Sequence, residues 1–233
     1  MTPSIGSPVV VDFPLRGEWF APNTPGTRVP SHGTDMLGQR YAYDFVGIDP
    51  NNRSFRFYPV GTLRYLLLGV RLQDCFGWGQ PIYAATSGTV VQAADGWPER
   101  NPVHVARDLF MMFKNARAFD PNKAASQSLD LRELTGNFVI VESPVGFVLY
   151  AHAQNGSIRV APGDRVTAGQ HLANVGHSGN STAPHLHFHI MDRLDAWQAQ
   201  GIPCCFRAYE VFTQGAWRPA RNSIPKAVER LRG

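Results

Sequence analysis

Cysteine is scarce in this chain of 233 residues: Cys75, Cys204 and Cys205 are the only three, two of them adjacent and none in a Cys-x-x-Cys pair. A disulfide framework and an all-cysteine zinc site are therefore not expected, and reduced thiols are. No stretch approaches the roughly 18 consecutive apolar residues of a membrane-spanning helix, so no transmembrane segment is expected. Met1 to Leu15 carries no basic leader and only the short apolar run Val9-Val10-Val11. No signal peptide is visible, so the chain reads as cytoplasmic as written, and as secreted or envelope-bound if trimmed. The net charge is +4, yet the basic residues are scattered. With no dense Lys/Arg block and no aromatic-rich RNA motif, nucleic acid is not an expected partner. Internal repeats and low-complexity segments are absent too.

What is present is an ordinary globular balance, 43% hydrophobic and 17% charged, with 22 glycines and 18 prolines that suit many short connections. Tyr41 to Val46 reads as a strand with aromatic residues on one face. From Gly79 onward short segments alternate with Gly turns: Pro81–Ala85, Thr89–Ala93, Asn137–Glu142, Phe147–Ala153, Ser157–Val160, Val166–Ala168 and His171–Val175. Even spacing of this kind predicts a mainly β fold, an antiparallel sheet or open barrel. Leu63 to Leu72 is a candidate edge strand. Asn101-Pro102 can open a helix whose apolar residues Val103, Ala106, Leu109, Phe110 and Phe113 follow helical spacing, predicting a helical insertion over about 102–134. Within it, Met111-Met112-Phe113 reads as packing. The expected organisation is an extended Pro/Gly-rich lead-in over 1–30, a domain over 31–215 holding the insertion, and a tail over 216–233 that ends in a short basic helix.

Of eight histidines, three alternate in His185-Leu186-His187-Phe188-His189. Successive side chains of a strand point to opposite faces, so the three imidazoles share one face while Leu186, Phe188 and Ile190 can anchor in a core. Neighbouring imidazoles on that face stand roughly 6.6 Å apart along the strand. Imidazole ligates zinc at about 2.0–2.1 Å, so two of them could reach one metal or its bound water. The plainer reading is a half-exposed strand that happens to carry histidines. Three on one face, behind the loop Gly176 to Pro184, favour the chemical one.

Ser178-Gly179-Asn180-Ser181-Thr182-Ala183-Pro184-His185-Leu186-His187-Phe188 closely resembles the terminal motif of lysostaphin-type endopeptidases, enzymes that cleave peptide cross-links in peptidoglycan. Other segments agree in order. Phe76 to Ala85 is similar to the first core strand of that family, Val148-Leu149-Tyr150-Ala151-His152-Ala153 to its tyrosine-x-histidine strand, and Val160 to Gly169 to its Pro-Gly-Asp hairpin. The resemblance spans roughly residues 31–192, with the helical insertion outside it.

The resemblance implies a zinc-dependent endopeptidase acting on a peptide or peptidoglycan substrate. It makes His187 a zinc ligand and makes His185 and His152 catalytic rather than metal-bound. On the His152 strand, Val148, Tyr150 and His152 are expected to share a face, with the imidazole looking into the site and Phe147 and Leu149 facing away; a buried structural histidine is the plainer alternative. Asp44 matches the family's metal-binding aspartate, with Ala42 leaving room beside it.

Here the sequence departs from the pattern. The residue four before Asp44, usually histidine, is Arg40, whose permanent charge cannot ligate zinc. The nearest upstream histidine is His32, and a loop turning at Gly33 and Gly38 could return it to the metal. His32 is thus the expected third ligand, with Asp35 or a weakened site as alternatives. His189, where the family usually has glutamate, is an outer-shell or surface group; His104, His171 and His177 are structural or surface.

Two histidines and a carboxylate leave an open position for water, as in catalytic zinc sites. With no His-Glu-x-x-His helix to supply a glutamate base, proton transfer falls to His185 or His152. Two other readings stand beside this one. The first is a non-catalytic binding or regulatory module on the same fold. The second is a biotinyl- or lipoyl-type carrier suggested by the hairpin Ala161 to Gln170, although no lysine sits at a turn tip to accept the cofactor. Sequence leaves the oligomeric state open.

Overall fold

The alternating histidine segment forms a strand near the middle of a large sheet. The computed structural model describes residues 7–52, 54–118 and 131–233. Its strands are β1 (Val9–Val11), β2 (Glu18–Asn23), β3 (Tyr43–Gly47), β4 (Pro81–Tyr83), β5 (Gly88–Ala94), β6 (Asn137–Ser143) and β7 (Gly146–Ala153). They continue as β8 (Arg165–Val166), β9 (His171–Asn174), β10 (His185–Met191), β11 (Gly201–Ile202), β12 (Cys204–Thr213), β13 (Ala216–Ser223) and β14 (Arg230–Arg232). Twelve of these make one sheet in the order β1-β12-β14-β2-β3-β10-β7-β6-β5-β8, with β11 paired to β10 and β13 to β12, while β4 and β9 pair separately. Every pair is antiparallel except β1 with β12. The fold is thus mainly β and open, as expected.

Period-two patterning sorts the sheet into two faces. Leu186, Phe188 and Ile190 of β10 join Tyr43 and Phe45 of β3, Val148 and Tyr150 of β7, and Trp19 and Ala21 of β2 in one core. Ile82 and Leu172 of the β4–β9 pair belong to the same core. Phe188 is fully buried and meets Tyr150 edge-on, with ring centroids 5.4 Å apart. Phe188→Ala should cost about 3–5 kcal/mol, the range for truncating a core aromatic. A urea midpoint that fails to move would contradict this account of the core. Cys75, Cys204 and Cys205 are free and buried, and burial pushes the Cys75 thiol up to about 12.

Three segments differ from the sequence expectations. Most of Leu63 to Leu72, expected as edge strand, belongs to helix α1 (Thr62–Leu68), with Tyr65 buried and Gly69 beyond its last turn at φ 71. Leu63, Leu66 and Leu67 stand at helical spacing, Leu and Arg are good helix formers, and a left-handed glycine is a common stop. The inserted helix α2 runs Val105–Ala118, starting later than Pro102. Val103 is instead buried in a β-bridge to Val70, and the His104 amide donates to Asp108 Oδ2 at 2.9 Å to close the first turn. Residues 119–130 of the expected insertion lie outside the described residues, and α3 (Arg132–Thr135) follows them. The expected basic helix near the end is strand β14, held between β12 and β2. Among the described residues no helix is long and apolar enough to cross a membrane.

Candidate metal centre

The polar face of the same strands carries the site. Asp44 alternates with Tyr43 and Phe45 on β3, so burying those rings turns its carboxylate to the opposite face, directly across from His187 on β10. Asp44 Oδ1 lies 2.8 Å from His187 Nδ1, and Oδ2 lies 2.9 Å from His32 Nε2. Donor atoms of His32, Asp44 and His187 all fall within 4.8 Å of one another. Asn23 at the end of β2 donates to Oδ2 at 2.7 Å; sequence reasoning gave no signal for it, because its place depends on β2 pairing with β3.

His32 reaches Asp44 through a closed loop. The Ser31 amide donates to the Arg40 carbonyl at 3.0 Å, and between them Leu37 and Gly38 take left-handed φ values of 56° and 70°. A Cβ at Gly38 would stand 2.7 Å from Met191 Cγ, so both conformation and space require glycine there. Arg40 turns outward to Asp35 at 2.6 Å. The structure therefore brings His32, rather than Asp35, to the carboxylate.

The face expected for His152 needs correction. Leu149 and Ala151 stand opposite His189 and His187, so they share the site face, while Val148 and Tyr150 lie in the core beneath. Plain alternation would bury His152 with Tyr150. Instead His152 has φ 60°, a left-handed conformation rare outside glycine that returns its ring to the site face. Such a residue typically costs about 1–3 kcal/mol and persists only where its surroundings enforce it. Here the His152 carbonyl accepts from the Gly176 amide at 3.0 Å and its Nδ1 donates to the Ser178 carbonyl at 2.9 Å.

His185 is placed in the same way, with Nδ1 donating to the Ala183 carbonyl at 2.7 Å and Nε2 standing 3.5 Å from Asp44 Oδ1. In both rings a carbonyl holds the proton on Nδ1, so Nε2 is the nitrogen that gains or gives up the second proton, in His185 while facing Asp44. The rings of His152 and His185 are 4.5 Å apart. His189 is buried, and its Nδ1 lies 3.0 Å from His187 Nε2, so it is a partner of His187 rather than a surface group. His177 is also buried; His104 and His171 lie away from the carboxylate, contacting the Leu67 and Ala173 carbonyls.

The electrostatics divide the groups. Burial alone would raise the Asp44 carboxyl, but His32, His185 and His187 hold it well below the usual carboxylate range. Burial lowers His152 well below its ordinary value, reinforced by His185 and His187. His185 is raised despite its burial, because it faces Asp44. One ionised carboxylate thus serves two imidazoles that can present lone pairs. That donor set, two nitrogens and one oxygen, fits a catalytic zinc with an open position. Over it lies a groove of about 490 Å³ with apolar walls that include Met36, Phe138, Met191 and Met112 of α2.

Comparison with known proteins bears out the family resemblance. Residues 124–199 match the family model described as peptidase family M23, a span that takes in His152, His185 and His187 but neither His32 nor Asp44. The catalytic domain of lysostaphin from Staphylococcus simulans is 24% identical, covering 68% of this chain and 86% of that one at TM-score 0.35. A variant catalytic domain of the prophage-encoded M23 protein EnpA from Enterococcus faecalis is 20% identical, covering 87% and 93% at TM-score 0.37. An M23-type chain from Pseudomonas aeruginosa is 21% identical at TM-score 0.30, covering 48% of this chain but only 34% of its own length.

Proposed function

We propose, starting from the match of residues 124–199 to peptidase family M23, that this chain is a zinc-dependent endopeptidase acting on peptide bonds of the peptidoglycan cross-link type. The observation that carries the reading is the convergence of His32, Asp44 and His187 donor atoms within 4.8 Å, beside two further imidazoles. A structural histidine cluster has no need of an ionised, buried carboxylate flanked by two nitrogen donors. Zinc held by these three side chains supplies Lewis acidity, polarising a peptide carbonyl and activating water for attack.

The chain's own residues do the rest. Asp44 and Asn23 keep the ligand cluster ordered, and His189 Nδ1 accepts a hydrogen bond from the Nε2–H of His187, leaving Nδ1 of His187 toward Asp44. An outer-shell partner of this kind fixes ring orientation and tautomer. His185 and His152, each protonated on Nδ1, offer Nε2 as the atom that accepts a proton and returns it to the leaving amine. When such a ring is protonated it also donates to the developing oxyanion. The apolar groove walls exclude water around the extended substrate.

Metal analysis of the purified protein, followed by incubation of the zinc-loaded form with glycine-rich and stem-peptide cross-link substrates, tests the reading. One zinc per chain and cleavage of one of these classes are expected. No zinc uptake after reconstitution would instead favour a non-catalytic binding module.

A further inference from the structure

His177 is fully buried beside His185, and no step above uses it. Its Nδ1 lies 3.0 Å from the Ser181 hydroxyl, and that hydroxyl lies 3.1 Å from His185 Nδ1. On the other side of the ring, Nε2 stands 3.4 Å from Asp108 Oδ2 on α2, a charge contact outside hydrogen-bond geometry, and has no hydrogen-bond partner among the described residues. Asp108, itself buried, also receives Arg100 Nε at 2.9 Å and Arg107 Nε at 3.0 Å. Arg100 then spans to the loop before β10, donating to the Gly179 carbonyl at 2.8 Å and the Ser181 carbonyl at 2.5 Å.

The protons in this chain of groups can be assigned in order. Burial, with Arg100 nearby, holds His177 below its ordinary value, so the ring is neutral and carries one proton. A carboxylate kept ionised by two guanidinium groups faces Nε2, which puts the proton there and leaves Nδ1 as an acceptor. Nδ1 accepts from the Ser181 hydroxyl. The hydroxyl oxygen in turn accepts from His185 Nδ1–H, which it shares with the Ala183 carbonyl. The competing place for the serine proton is the Ala183 carbonyl at 2.7 Å, but that choice sets the lone pair of His177 Nδ1 against the hydroxyl oxygen.

We propose that Asp108 and His177 are positioning residues that act on His185 through the Ser181 hydroxyl, making the inserted helix α2 part of the active centre. The inference rests on the reading of His185 as a proton-transfer group. It orients the His185 ring and strengthens its Nδ1–H bond, and so favours Nε2 as the base. A buried ion cluster that merely pinned the loop would not dictate which nitrogen of His177 carries the proton.

Long-range proton–nitrogen spectra of the metal-free protein read that nitrogen directly. His177 is expected with its proton on Nε2; a proton on Nδ1 overturns the proposal. Ser181→Ala cuts the chain while leaving the Asp108, Arg100 and Arg107 contacts whole. Its kcat should fall about 10–100-fold, as for other outer-shell partners, with KM and zinc content unchanged. An unchanged kcat overturns the proposal as well. Asp108→Asn should move the His177 proton to Nδ1; if that variant fails to fold, the wild-type spectrum and Ser181→Ala still decide. The spectra need neither metal nor substrate. A zinc-loaded wild type that cleaves no peptide would therefore sink the peptidase reading without touching the tautomer result.

Discussion

His187→Ala is expected to keep its fold and lose bound zinc and peptide hydrolysis together. The imidazole stands on the polar face of β10, so removing it leaves Leu186, Phe188 and Ile190 in the core undisturbed. What it takes away is the nitrogen 2.8 Å from Asp44 Oδ1. Asp44 and His32 would remain, a two-donor remnant that cannot fill the three protein positions of a catalytic zinc. His32→Ala should behave in the same way, because its Nε2 approaches the other oxygen of the same carboxylate at 2.9 Å. Chelator competition with elemental analysis measures the loss for both variants. Wild-type zinc affinity in His32→Ala would remove that residue from the ligand set and reopen the question of the third donor.

The second large effect separates chemistry from binding. His185→Ala should retain zinc and lose about 10²–10⁴-fold in kcat, the usual contribution of a positioned acid–base group. Its Nε2 is 3.5 Å from Asp44, farther than the nitrogens of His32 and His187, so the ligand set does not depend on it. His152→Ala should show the same division, with an added gain in stability from relieving the left-handed backbone if the replacement is glycine instead. Steady-state kinetics beside metal content on each variant provide the check. Hydrolysis by His185→Ala at the wild-type rate would contradict the assignment of roles.

Much of this arrangement could be read from the sequence, and what could not has physical reasons. The period of two in His185–His189 gave both the core face and the imidazole face, because a central strand buried on one side has no freedom to do otherwise. His152 could not be placed by the same rule. Its ring faces the site only through a φ of 60° at a non-glycine residue, and nothing in the sequence Tyr150-Ala151-His152-Ala153 signals it. His32 was reachable from sequence as the nearest upstream histidine, but the loop that delivers it turns at Leu37 as well as at glycine. The partnership of Asp108 with His177 was out of reach. It joins an inserted helix to a loop far along the chain, and each residue alone reads as structural. Leu63 to Leu72 went wrong for another reason: Leu63, Leu66 and Leu67 do stand at helical spacing, but the run before Gly69 is only two turns long and its period is weak.

The strand order also has a kinetic consequence. Residues 230–232 pair with residues 18–20, and β2, so held, flanks the strand that carries Asp44. Contacts this distant along the chain are slow to form, because the closure entropy of a long loop is lost before any pairing compensates for it. The half of the sheet around β7 and β10 rests on neighbours closer in sequence and can assemble first. In refolding, the imidazoles of His152, His185 and His187 should therefore gather before His32, Asp44 and Asn23 join them, and full metal affinity should appear later than the first β-structure.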